Sequence, residues 1–147
     1  MNKKTKMNDK ILCYSGEYSE LHKIREFVHQ KASKFGFSDD EANNISLAVD
    51  EACSNLIHHA FHFDKSKKIC IQVLTDDDNF TVNIYDDGSP FNPLEAIQPD
   101  MQEYFKNYQR GGLGIKIMRS VMDEINYLPS NSSNQQNILS LKKHLQM

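Results

Sequence analysis

Asp50-Glu51-Ala52-Cys53-Ser54-Asn55-Leu56-Ile57-His58-His59-Ala60 is the stretch from which the rest of the chain can be read outward. Glu51, Asn55 and His59 recur every fourth residue, so on a helix they rise as a single polar ladder. Ile45, Ala48, Val49, Ala52, Leu56 and Ala60 form an apolar arc at helical period around it. The segment therefore reads as an amphipathic helix with one face in a core. By itself the ladder is an ordinary solvated edge, because most Glu residues on such helices are exposed charges.

Upstream, Ser38-Asp39-Asp40-Glu41 is a capping box, with Ser38 as N-cap and Glu41 three residues on, and it sets the start of this central helix. The helix is expected to run to Phe61, about 35 Å at the usual rise per residue. Leu21, Ile24, Phe27, Val28, Ala32 and Phe35 mark the stripe of an earlier helix over Ser19 to Phe35, with Gly36 in the left-handed position that ends it. Ile11 to Tyr14 reads as a short edge strand. Downstream the period changes to two: Ile69, Ile71 and Val73, then Phe80, Val82 and Ile84, joined by Asp76-Asp77-Asp78-Asn79, make a hairpin. If Phe80, Val82 and Ile84 face the helices, parity turns Asp86 the same way, towards the layer that holds Glu51 and Asn55.

Gly88 to Gly112 is a long irregular stretch with Pro90, Pro93 and Pro99, the kind of segment that serves as a lid, with a short helix around Pro99 to Tyr108. Ile117, Met118, Val121 and Met122 mark a third major helix. Ile125 to Leu128 and Ile138 to Leu141 read as a closing strand pair across a Ser/Asn/Gln-rich loop, Ser130 to Asn137. The order (strand, two helices, hairpin, lid, helix, hairpin) predicts an α+β fold, a two-layer sandwich with helices on one face of a mixed, mostly antiparallel sheet.

At 147 residues, 39% hydrophobic and 25% charged, the chain is most simply one soluble domain. We expect a mobile basic N-terminal tail over 1–10 and a single domain over 11–147. A net charge of −3 gives no general drive towards nucleic acid or an anionic membrane. No apolar run approaches the ~20 residues of a membrane span, and the lysine-rich start lacks the apolar core of a signal peptide. Cys13, Cys53 and Cys70, odd in number and each among apolar residues, predict buried reduced thiols in a cytoplasmic protein.

Three clusters carry chemistry: Glu51-x-x-x-Asn55-x-x-x-His59-Ala60, then Asp86-Asp87-Gly88-Ser89-Pro90-Phe91 after a strand, then Arg110-Gly111-Gly112-Leu113-Gly114 before a helix. Glycines at a helix start let backbone N–H groups approach an anion, and the helix dipole favours phosphate there. A carboxylate at Asp86 can only accept hydrogen bonds, and the exocyclic amine of adenine is a natural donor to it. The amide oxygen of Asn55 is a hard ligand of the kind Mg²⁺ accepts, and Glu51 could polarise a hydroxyl or water beside a γ-phosphate. Each cluster has a plainer reading as a surface turn or a solvated face.

Together, in order and spacing, the three clusters resemble the N, G1 and G2 boxes of the GHKL (Bergerat-fold) ATPase superfamily. The match is closest to its stand-alone anti-sigma factor serine/threonine-protein kinases of the RsbW/SpoIIAB type. The resemblance runs from Ser19 to the C-terminus and includes Met122-Asp123-Glu124-Ile125 and the final strand with Lys142. It implies Glu51 as catalytic base and Asn55 as holder of Mg²⁺. Asp86 and Gly88 would bind adenine, and Arg110, Gly111, Gly112, Leu113 and Gly114 would lie at the phosphates of ATP. His59 would be a packing or pocket-wall residue, and His58 solvated. One departure is Pro90, which stands where the second glycine of the G1 box usually does and fixes φ near −65°.

The implied function is an ATP-binding regulator that phosphorylates a serine of an anti-sigma factor antagonist, a STAS-type protein. Its further partners would be an RNA polymerase sigma factor and a second copy of itself as a homodimer, without direct nucleic-acid or membrane contact. The alternative is an ATP-responsive protein-binding module without kinase activity. The ATPase half of a two-component histidine kinase is disfavoured, since we expect no helical hairpin before the first helix, and His22 and His29 read as surface residues.

Overall fold

The computed structural model describes residues 7, 8, 10–95, 111–131, 133 and 135–146. The central helix begins as its capping box dictates. The Glu41 N–H donates to Ser38 Oγ at 3.1 Å, and the Ser38 N–H donates to Glu41 Oε1 at 3.3 Å. These two reciprocal bonds satisfy donors that a helix start otherwise leaves unpaired. The first helix, α1, spans Leu21–Phe35 and ends at Gly36, whose φ of 127° is open only to glycine at low cost. The central helix, α2, spans Asp39–Asn55 and buries Ala42, Ile45, Ala48, Val49, Ala52 and Cys53. The last described helix, α3, spans Gly111–Val121.

Six strands form the sheet: β1 (Met7–Asn8), β2 (Leu12–Ser15), β3 (Lys68–Asp76), β4 (Asn79–Asp86), β5 (Glu124–Leu128) and β6 (Asn137–His144). The main order is β1-β3-β4-β6-β5, with β2 also paired to β3, and every pairing among the described residues is antiparallel. The hairpin turns at Asp77, whose φ of 54° an aspartate tolerates. β1 lies inside the stretch expected to be tail, so among the described residues sheet pairing already starts at Met7.

The helices cover one face, α1 and α3 each packing on α2. Phe80, Val82, Ile84 and Asp86 are all buried on that face, as their parity requires. Phe80 is wedged against Phe35 and Phe37, with ring centroids 5.6 Å away in both cases. Tilted and edge-on contacts of this kind add about 0.5–1.5 kcal/mol each beyond area burial. No described helix is long and apolar enough to cross a membrane.

The cysteines correct the expectation of three reduced thiols. Antiparallel pairing places Cys13 of β2 directly opposite Cys70 of β3, Cα to Cα 4.0 Å, and the two form a disulfide; Cys53 is free and buried. Strand register brings together residues 57 apart in sequence, which spacing alone could not reveal. Thiol counting on the unfolded, unreduced chain should therefore find one free thiol, that of Cys53. Reduction should lower stability by up to about 4 kcal/mol on a loop-closure account, and a reductant-insensitive unfolding midpoint would contradict it.

Candidate functional site

The site gathers around the second half of α2. Its ladder departs from ideal geometry: beyond Asn55 the chain continues as a π-helical turn over Leu56–Ala60, and the Phe61 N–H donates to Leu56 O at 2.8 Å. Such turns insert an extra residue per turn and recur at functional positions. The helix then stops on two left-handed residues, His62 at φ 49° and Phe63 at φ 65°, while the Phe63 N–H closes on Ile57 O at 3.0 Å. Each such residue costs of order 1–2 kcal/mol. The buried ring of Phe61 offsets that cost.

Phe61 also explains Gly88. A Cβ at Gly88 would lie 2.6 Å from the Phe61 ring and 2.9 Å from Ala60 O, and a Cβ at Gly16 would meet the opposite side of the ring at 2.6 Å. The glycine expected to lie beside a base is thus required first by packing. With the Ser89 N–H donating to Ala60 O at 3.2 Å, it pins the loop after β4 to the end of α2. The second cluster is thereby held against the end of the first.

Asp86, 2% exposed, closes β4 on the helix side. Its Oδ1 accepts from the Gly88 N–H at 2.9 Å and from Asn137 Nδ2 at 2.9 Å. Burial pushes its carboxyl up from the ordinary range, opposed by those two bonds. No hydrogen bond among the described residues reaches Oδ2. Its neighbour Asp87 plays another part: it is exposed, and its Oδ1 accepts from the Lys68 N–H at 3.0 Å at the start of β3. One acid of the pair is structural and the other faces the pocket.

The third cluster reaches the first directly. Gly114 is buried, and a Cβ there would lie 2.9 Å from Glu51 Oε2 and 3.7 Å from Asn55 Nδ2. The glycines lie inside the first turns of α3, not in a turn before it: Gly111, Gly112, Leu113 and Gly114 are all helical. Arg110 lies outside the described residues. Asn55 is 7% exposed, and its Nδ2 has no hydrogen-bond partner among the described residues.

A buried amide nitrogen without a partner costs about 1–3 kcal/mol unless a ligand satisfies the group. The two ends of the amide are nearly isosteric, so half a turn would present Oδ1 at the same point as a ligand for Mg²⁺. The residues present therefore fit that ion. Glu51 is half-buried beside Asn55.

His59 stacks on Phe91, centroids 4.7 Å apart and planes 15° from parallel. Burial, then the neighbouring His58 and His62, hold its pKa below the ordinary value, so it stays neutral above mildly acid pH and serves as a wall. His58 is exposed. The Phe91 N–H donates to Tyr127 Oη at 3.0 Å, fixing the loop across His59. Burial pushes the thiol of Cys53 well up, which makes it inert.

Asn137, Phe61 and Tyr127 are structural members of the site that motif spacing does not disclose, whereas Phe91 already stands in the second cluster. The pairing of β6 with β4 and β5 brings in Asn137 and Tyr127, and the turn at the end of α2 brings in Phe61.

Comparison with known proteins gives the family. The model of the family described as histidine kinase-like ATPase domain matches residues 14–143. The chain is similar to proteins named serine-protein kinase RsbW. That of Bacillus subtilis (strain 168) is 32% identical over 107 residues, covering 69% of this chain and 66% of that protein. That of Listeria monocytogenes serovar 1/2a is 30% identical over 126 residues, covering 81% and 79%. The match thus spans just under two thirds of the Bacillus protein's own length, 66%.

Proposed function

The chain belongs to the histidine kinase-like ATPase domain family, and from that premise we propose that it is a protein serine kinase acting with Mg-ATP. Its substrate is the serine of a small STAS-type anti-sigma factor antagonist. A sigma factor is its second partner, and it works as a homodimer in the cytoplasm, with one ATP-binding domain that takes in β1 as well as residues 11–147. The observation that carries this reading is the close approach of the Gly114 backbone to Glu51 and Asn55, where a Cβ would lie 2.9 Å from Glu51 Oε2 and 3.7 Å from Asn55 Nδ2, at the start of α3.

In this reading Asp86 Oδ2 accepts from the adenine amine. The first turn of α3 supplies backbone N–H groups and the positive end of its dipole to the phosphates, together with Arg110. Asn55 holds Mg²⁺, which when bound neutralises charge on the phosphates. Glu51 takes the proton from the attacking serine hydroxyl. The RsbW name of the relatives supports the choice of serine as acceptor.

The test is incubation with γ-labelled ATP and a STAS-type antagonist. Label on a serine of the antagonist is expected. Retained ATP binding with no transfer would instead leave an ATP-responsive binding module.

Gly114 gives a sharper prediction. In Gly114→Ala the new methyl would lie 2.9 Å from Glu51 Oε2, and the flexible Glu51 side chain would shift to relieve it. Alanine inside a helix gains about 0.5–1 kcal/mol over glycine, so the unfolding midpoint should hold or rise. Transfer should fall by about 10²-fold, since small misplacements at a reacting centre cost that much. A parallel loss of stability and activity would refute this.

A further inference from the structure

Asn137 is fully buried at the first position of β6, directly opposite Asp86 in the strand register. Its side chain is used at both ends. Nδ2 donates to Asp86 Oδ1 at 2.9 Å and to Gly88 O at 3.0 Å, while Oδ1 accepts from the Ser130 N–H at 2.7 Å. An amide whose donors and acceptor are all engaged cannot rotate without losing several buried hydrogen bonds, so its direction is fixed. Asp86 Oδ1 is in turn committed to two donors, the second being the Gly88 N–H.

We propose that Asn137 is a positioning residue that sets base selectivity, by holding Asp86 so that only Oδ2 is offered to the purine as an acceptor. The inference rests on the reading of Asp86 as the base acceptor. An ionised carboxylate accepts the amine of a 6-amino purine and repels the carbonyl of a 6-oxo purine. A protonated Asp86 would reverse this, because its O–H can donate to a 6-oxo group.

The groups that act on Asp86 are few. Asp87 lies on its own loop, the Gly88 N–H and Asn137 Nδ2 donate to it, the thiol of Cys53 comes from α2 and the phenol of Tyr127 from β5. Burial raises both the thiol and the phenol, so each is neutral over the range in which a carboxyl titrates. Removing the Asn137 donor takes away the largest influence that lowers the Asp86 carboxyl. The acid limb of ATP binding must then move to higher pH.

The experiment compares ATP with inosine triphosphate, which differs in the 6-amino group, across pH for the full chain, Asn137→Leu and Asn137→Asp. Leu removes every hydrogen bond at similar volume. Asp keeps the acceptor for Ser130 and sets a second carboxyl against Asp86, which serves if the Leu chain does not fold. The unaltered chain should prefer ATP by at least about tenfold, the worth of one hydrogen bond to a charged group. Either variant should narrow that preference by about tenfold and shift the acid limb upward. Equal losses for both nucleotides, with the acid limb unmoved, would overturn the proposal and leave Asn137 a fold residue. If Asp86→Asn binds ATP normally, the base-acceptor reading itself fails and takes the proposal with it.

Discussion

Asp86→Asn should weaken ATP binding by about 10²-fold or more while leaving the ligand-free protein as stable as before, or more so. The two halves of this result have separate causes. Asp86 is 2% exposed, and burial raises its carboxyl above the ordinary carboxylate value in spite of the bonds from Asn137 and Gly88. A carboxyl raised in the native state contributes stability that is fully present below its unfolded pKa, near 3.9. That contribution is lost as pH rises through the native value. At neutral pH the ionised group is therefore a net cost to the fold, and asparagine removes it.

The asparagine oxygen can still accept from Asn137 and Gly88, so the local structure has no reason to collapse. Its other end is an NH₂, which meets the purine amine donor to donor. The lost hydrogen bond and the unpaired groups left behind should weaken ATP by about 10²-fold or more. Unfolding midpoints with and without nucleotide check both halves. A variant that is destabilised yet still binds ATP would contradict the assignment.

Glu51→Gln should separate binding from transfer. Glutamine keeps the shape of a half-buried side chain that lies against Gly114, so Asn55 and the start of α3 keep their places. What it loses is the ability to take a proton from a serine hydroxyl. A positioned general base contributes about 10²–10⁴-fold, and the rate of serine phosphorylation should fall by that factor at unchanged ATP affinity. Single-turnover transfer measured beside nucleotide titration reads the two quantities separately. An intact rate would remove Glu51 from the chemistry, and an equal fall in affinity would make it a binding residue.

Much of this site is legible in local sequence patterns. The capping box of Ser38 and Glu41, the end of α1 at Gly36 and the alternation along β4 all act within a few residues. Parity along β4 was enough to turn Asp86 towards α2, and the apolar arc placed Glu51 and Asn55 at its border. The remainder depends on how strands meet. Asn137 read as the end of a polar loop until β6 was registered against Asp86, and Cys13 and Cys70 read as separate buried thiols until β2 was registered against β3.

Gly88 read as room for a base, yet the ring of Phe61 occupies the space its Cβ would need. That contact depends on the π-helical turn at the end of α2, which no sequence period announces. Pro90 sits between Gly88 and Phe91, where the loop is already held at Ser89 by Ala60 and at Phe91 by Tyr127. A fixed φ there costs little freedom that the loop still had.

All of these assignments converge on nucleotide binding, and the most direct measurement is thermal unfolding of the full chain against ATP, with and without Mg²⁺, beside Asn55→Ala. Stabilisation of about 2.7 kcal/mol at an ATP concentration of 100 Kd is expected, strengthened by Mg²⁺ in the unaltered chain and indifferent to it in Asn55→Ala. An unfolding midpoint that does not move with millimolar Mg-ATP would contradict this reading.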